Sequence, residues 1–323
     1  MANEKIVAAI CVVVLIALPA LMYPIFAMKA LCFALFAASF NLLMGYVGLT
    51  PFGHAMFFGG AAYACAYALK TWGVSPEIGL LLGTLSAMVL GAGTAFLSMR
   101  RQGVYFGMIT LALAQLFYFF CLQARFTGGE NGIQSVPRGS AFGVWSLRDD
   151  ISLYYFIALV FVAAMALLYR IIHSPFGAVL KGIRDNEVRA TSLGYDGSRF
   201  KIIAFVLSAG LAGLAGAMEV LILQIATLNN VEWTMSGHVV LIALIGGIGT
   251  FLGPVVGAFL IVAIDSYLSG AGEWLDVGKG IAFMACVIGF RAGIVGTIVP
   301  RLRLAFKVRV PADVIRHKEA RPT

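Results

Sequence analysis

Charge is what this chain has least of. Asp, Glu, Lys and Arg make up only 12% of its 323 residues, where soluble domains carry roughly 25%. A water-facing surface cannot be built from so little charge. That shortage excludes a soluble enzyme, a disordered chain and a nucleic-acid-binding domain. Cysteine is sparse too: Cys11, Cys32, Cys65, Cys121 and Cys286 lie in apolar runs with no Cys-x-x-Cys spacing. Such scatter suits neither a disulfide framework nor a zinc site and leaves small buried hydrophobes. A phosphate-cradling loop is missing as well. Gly278-Lys279-Gly280 lacks the earlier glycine and the hydroxyl that such a loop requires. Gly247-x-Gly249-x-x-x-Gly253 misses the dinucleotide spacing by one residue. No two histidines stand at metal-ligand spacing. The expectation is a chain with no catalytic residue, metal or cofactor of its own, driven by a partner or an ion gradient.

In place of charge there is 61% hydrophobic residue and 37 glycines, a mixture that fits closely packed transmembrane helices. Apolar runs cover Ile6–Met22, Ala30–Met44, Phe52–Leu69, Ile78–Ser98, Val104–Leu122, Ile151–Tyr169, Ile202–Ala226, Val239–Ser269 and Gly280–Phe290. The first run has no convincing small-residue cleavage site after it and reads as an uncleaved helix. Positive charge is concentrated in two places. One holds Arg170, Lys181, Arg184, Arg189, Arg199 and Lys201, and the other is the tail from Arg301 to Arg321. Basic loops mark the cytoplasmic side, and the tail can also meet anionic lipid headgroups. Placing 170–201 and 300–323 inside and 123–150 outside requires an even number of crossings after the basic loop. The long run Val239–Ser269 meets that requirement if Gly246 to Pro254 breaks it into two short helices. The expected fold is therefore all-α: a polytopic transmembrane bundle of about 8–10 spans with broken or re-entrant segments. Residues 1–300 would form the transmembrane domain and 301–323 a basic cytoplasmic tail.

A second interrupted stretch lies in the first half, from Gly45 through Thr50-Pro51-Phe52-Gly53-His54 to Gly59-Gly60. Two interrupted hydrophobic segments, one in each half, point to a transport path between halves. Close helix packing through small residues accounts for the glycines equally well. Ionisable and polar residues within apolar runs are candidates for lining the path, and here they are Asn41, His54 and Glu219. Each has a structural alternative. Asn41 could bond across helices, His54 could satisfy irregular backbone, and Glu219 could face the outer boundary. Asp265 lies near the end of a short helix and could simply reach the interface.

The loop 170–201 carries a short amphipathic helix. Ser174-Pro175 starts it well, Gly194 stops it, and Val179, Leu180, Ile183, Val188 and Leu193 alternate with charges between them. It could lie on the membrane surface or fit a partner's groove. The residue order favours the groove. His173 to Gly177, then Leu180-Lys181-Gly182-Ile183-Arg184-Asp185-Asn186-Glu187 and Ala190 to Gly194, resembles the coupling segment of ABC-importer permeases. The whole is similar to the LivM-type permeases of branched-chain amino-acid importers. Asn41 to Tyr63, Arg101 to Ala112, Thr127 to Ile133, Ala204 to Met218 and Gly246 to Gly257 resemble that family's blocks in order. Phe290-Arg291-Ala292-Gly293 departs from the family's Phe-x-Pro-x-Gly pattern.

That resemblance implies a permease subunit in the bacterial inner membrane. Its partners would be a second, LivH-like permease, two cytoplasmic ATP-binding subunits that hold ATP and Mg, and an external substrate-binding protein. Gly182, Ile183, Arg184, Asp185, Asn186 and Glu187 would couple to the ATPase, with Gly182 allowing close approach and Ile183 as the apolar anchor. Asp185 and Glu187 would orient the helix by charge. Cargo would be branched-chain or related hydrophobic amino acids, with urea and short amides as the alternative. An ion-coupled secondary transporter and a purely structural membrane subunit are the other classes. An exposed amphipathic loop helix favours the importer over both.

Overall fold

The computed structural model describes residues 22–268 apart from Arg100, Gln102 and Val144, with isolated positions on either side. Most of the run Ile6–Met22, most of the last apolar run and the tail 301–323 lie outside the described residues. The described residues are helical almost throughout. Pro24 opens helix α1 (Pro24–Asn41), which continues as a wider π turn over Leu42–Val47. Then follow α2 (Ala55–Tyr67), α3 (Pro76–Ser98), α4 (Val104–Gln123) and α5 (Asp150–His173). Two short helices come next, α6 (Pro175–Asp185) and α7 (Glu187–Ser192). The long α8 (Gly197–Leu223) precedes α9 (Trp233–Gly246) and α10 (Gly253–Leu268). One small antiparallel ladder pairs β1 (Ser140–Ala141) with β2 (Trp145–Ser146).

Among the described residues, five segments are long and apolar enough to cross a membrane: Pro24–Val47, α3, α4, α5 and α8. The expected break in the long eighth run is present, because α9 and α10 are separate short apolar helices. Burial sorts the elements. Pro24–Val47 is buried over nearly its whole length; a helix hydrophobic on all sides belongs at a bundle centre. Helices α3, α4 and α5 instead present Leu81, Leu85, Val89, Met108, Leu116 and Leu159 outward, as lipid-facing helices do.

Small residues set the spacing at the centre. An added Cβ on Gly83 would touch Ala217, one on Gly213 would run into Ala87, and one on Gly91 would meet Ala209. Gly83, Ala87 and Gly91 therefore form a one-face stripe on α3 against an antiparallel stripe on α8. Without a hydrophobic driving force between helices in lipid, such close backbone approach supplies the packing energy. Polar side chains bond α8 to α1 as well. Ser208 Oγ donates to the Ser39 carbonyl at 2.6 Å and Cys32 Sγ to the Ala215 carbonyl at 2.9 Å. The 24 residues of α5, rising 1.5 Å each, separate the α6–α7 end from segment 124–149 by about 36 Å.

Candidate functional site

The two interrupted segments meet each other beside α6. The first leaves its π turn through Gly48 (φ 81°), runs extended past Thr50-Pro51, and turns at 52–54 into α2. The second leaves α9 through Gly247 (φ 117°) and Gly249 (φ 75°), both in conformations open to glycine, before Gly253-Pro254 opens α10. Asn41 joins them. Its Nδ2 donates to the Thr250 carbonyl at 2.8 Å, and its Oδ1 accepts from the Gly249 N–H at 2.8 Å. Gly45 lies so close that an added Cβ would meet Asn41 Oδ1 and the Gly249 backbone. Unwound backbone at membrane depth needs internal partners, and one buried amide supplies both a donor and an acceptor. Of the two readings open for Asn41, the cross-helix bond is the one its contacts make.

His54 is fully buried at the start of α2. Its ring stacks on Phe36 and meets Phe40 and Phe57 edge-on. Ser39 Oγ gives its only proton to the Phe36 carbonyl at 2.6 Å and lies 3.0 Å from His54 Nε2. The hydroxyl must therefore accept, which assigns the proton to Nε2 and leaves Nδ1 an acceptor. That Nδ1 has no partner among the described residues. Beside it, Ser236 on α9 accepts the Ala55 N–H at 2.9 Å, so α9 satisfies one free donor of the α2 start.

Glu219 sits apart from this pair, toward the opposite end of α8, and is 4% exposed. Asn230 Nδ2 donates to its Oε2 at 2.8 Å, and Thr227 Oγ1 donates to Asn230 Oδ1 at 3.2 Å. Asp265 pairs with His238 at 3.5 Å, joining α10 to α9.

The loop 170–201 forms two helices where one is expected. Ser174 Oγ accepts the Gly177 N–H at 3.3 Å, as its position before Pro175 predicts. The helix then breaks at Asn186 (φ −160°, ψ 100°), whose Oδ1 accepts the Arg189 N–H at 2.9 Å and caps α7. An asparagine that competes for backbone donors starts a new helix instead of continuing the old one. Ile183 does not present the free apolar face expected of an anchor. Ile183 is 3% exposed and Leu180 fully buried, so this chain's own residues cover both. The most exposed apolar side chains there are Val188 (77%) and Leu193 (72%). Asp185 pairs with Arg184 at 2.9 Å and Glu187 with Lys201 at 2.6 Å, so both charges are engaged internally. Gly182 is exposed, and an added Cβ there would meet nothing within 4 Å.

Arg184 is the link between the loop and the broken segments. Its Nη1 donates to the Gly45 carbonyl at 2.5 Å, and its stem packs on Gly48. Lys181 Nζ stands 5.4 Å from the centre of the Tyr46 ring on the same π turn. A continuous set of contacts thus runs from α6 through Arg184 to Gly45, and through Asn41 to Gly249 and Thr250.

Residues 22–289 match the family described as "Branched-chain amino acid transport system / permease component". The chain belongs to that family. It is 25% identical over 292 residues to the high-affinity branched-chain amino acid transport system permease protein LivM of Escherichia coli K12, covering 82% of this chain and 68% of that one. A probable LivM of Methanocaldococcus jannaschii is 26% identical over 284 residues, covering 76% and 81%. An autoinducer 2 import system permease protein, LsrC of Yersinia enterocolitica, is 29% identical over 196 residues, covering 59% and 54%. No solved structure matches. As a branched-chain permease family member with several membrane-length apolar helices, the chain is a multi-pass membrane protein.

Within this family member, the sequence-predicted residues fall into separate places. Asn41 and Arg184 come together at Gly45, His54 lies in the aromatic cluster beside them, and Glu219 lies toward the other end of α8. Asn230 and Arg138 are not singled out by sequence reading. Asn229-Asn230 between apolar runs is a signal for the first. Arg138 is one basic residue in a polar loop, and only the fold brings it to α8.

Proposed function

We propose that the chain is the transmembrane permease subunit of a binding-protein-dependent ABC importer for branched-chain or related hydrophobic amino acids in a bacterial inner membrane. It would work with a LivH-like second permease, two cytoplasmic subunits that hydrolyse ATP with Mg, and an external binding protein. The observation that carries this reading is the joint at Gly45. Arg184 ties the α6–α7 helices to the first broken segment, and Asn41 ties that segment to the second. Closure of an ATPase against the exposed side of α6–α7 would displace Arg184 and both breaks together. Unwound turns held by a few hydrogen bonds rearrange more cheaply than packed helix, so the movement concentrates there.

Reconstitution tests this. Vesicles holding this chain with its partner permease and ATPases should take up labelled leucine only with ATP inside and binding protein outside. The chain alone should neither hydrolyse ATP nor accumulate leucine. Uptake by the isolated chain driven by a proton or sodium gradient contradicts the proposal, and ATP-driven uptake of urea but not leucine would replace the cargo.

A further inference from the structure

The two short helices α9 and α10 carry an acid and a base at membrane depth. His238 Nε2 stands 3.5 Å from Asp265 Oδ2, farther than a formed N–H···O bond. That Nε2 has no hydrogen-bond partner among the described residues. Helix α1 fixes the depth, because the His238 ring meets Phe33 edge-on at 5.5 Å. Phe33 is the tenth of the 24 residues of Pro24–Val47, about 14 Å from one end of a segment about 36 Å long. The hydrocarbon layer is about 30 Å thick. The pair stands inside it.

Both side chains are partly open, 16% for His238 and 29% for Asp265. Ionisable groups at this depth are costly against lipid and face protein or water instead. Their helices have 14 and 16 residues, rising only about 21 and 24 Å. The unwound turn between them needs protein or a wet cavity beside it. Next to the pair, Trp233 and Gly237 are exposed on α9. An added Cβ on Gly237 would meet nothing within 4 Å, so this side of the pair is open space.

We propose that this face borders the transport path and that His238 and Asp265 form a station for a zwitterionic amino acid. The inference rests on the importer reading and narrows its cargo. The loose pair opens, Asp265 accepts hydrogen bonds from the α-ammonium group, and the His238 N–H donates to the α-carboxylate. Each side chain exchanges one partner for another, so no charge stands unpaired at depth. Hydrogen bonds to ionised groups are the strong ones, and the solute brings two such groups. A neutral solute such as urea brings no ammonium group and gains nothing by opening the pair.

The test uses the reconstituted complex with this chain's five native cysteines replaced by alanine and Gly237→Cys added. Two water-borne thiol reagents are compared, 2-aminoethyl and 2-sulfonatoethyl methanethiosulfonate. Modification is read by mass on this chain, each rate normalised to a free thiol. The cationic reagent should react at least about tenfold faster, since a buried carboxylate concentrates cations beside it. Adding Asp265→Asn should bring the two rates within about twofold, and Asp265→Glu should restore the preference. Gly93→Cys, on the lipid side of α3, should not react. Leucine uptake at saturating binding protein should fall at least about tenfold in Asp265→Asn, the worth of one hydrogen bond to a charged group. No reaction at position 237 with or without ATP, or no preference for the cation, overturns the proposal. So does a preference that Asp265→Asn leaves intact, or wild-type leucine uptake in that variant. The Gly237→Cys readings decide even where Asp265→Asn fails to assemble. A wild-type complex without ATP-driven leucine uptake refutes the importer reading itself, a result distinct from all of these.

Discussion

Replacing Arg184 with alanine is expected to lower uptake at least about tenfold while the subunit still inserts and the ATPases still bind. Arg184 donates to the Gly45 carbonyl and pairs with Asp185, and its side chain is 40% exposed, so removing it opens no large core cavity. Hydrogen bonds to charged groups contribute about 1.5–3 kcal/mol, and about 1.4 kcal/mol is a factor of ten. Losing that link leaves α6 seated on the bundle through Leu180 and Ile183 but no longer pulling on the first break. ATP hydrolysis should therefore continue, detached from uptake. Arg184→Lys should recover only part of the coupling, since a lysine cannot hold Gly45 and Asp185 in one planar fork. Wild-type uptake per ATP in Arg184→Ala would remove Arg184 from the path of force.

Gly216→Leu should cost the fold. The Cβ it adds runs into the Phe58 carbonyl, and that obstacle is backbone, which cannot swing aside as a side-chain tip can. Helices α2 and α8 must separate, which breaks the close packing that substitutes for the hydrophobic effect in lipid. Overpacking a tight site costs about 1–3 kcal/mol or more, so the monodisperse yield in detergent should fall at least about fivefold. Gly93→Leu is the matched control on α3: its added Cβ meets nothing within 4 Å, and its yield should stay at wild type. Equal yields for the two variants would contradict the packing account.

Much of the architecture is legible from residue pattern because membrane depth punishes irregular backbone. Gly246 to Pro254 interrupts a run too long for one crossing, and the break between α9 and α10 falls there. The stretch from Gly45 to His54 likewise holds the first irregular segment. Ser174-Pro175 starts a helix because the cap chemistry is local. What pattern does not contain is the body that buries an apolar face. Ile183 has the spacing of an anchor, yet this chain's own bundle covers it, and the bare apolar side is Val188 and Leu193. The break at Asn186 is hidden for a related reason: the apolar alternation runs straight through it, while the capping preference of one residue overrides it. Long-range bonds are the least visible. Asn41 meets Gly249 across 208 positions, and Arg138 meets Ile222 across 84, distances over which no periodicity speaks.

The coupling claim is tested most directly by whether the exposed side of α7 holds the ATPase. The measurement is the amount of ATPase that co-purifies with the Val188→Asp, Leu193→Asp double variant, alongside uptake. Both side chains are exposed, so the subunit should insert and fold normally. Placing two carboxylates in an apolar groove costs several kcal/mol if they stay unpaired, roughly 2–7 each for even neutral polar groups. The account predicts that the ATPase is lost from the purified complex and that uptake stops. ATPase retained at wild-type ratio together with wild-type uptake would contradict it.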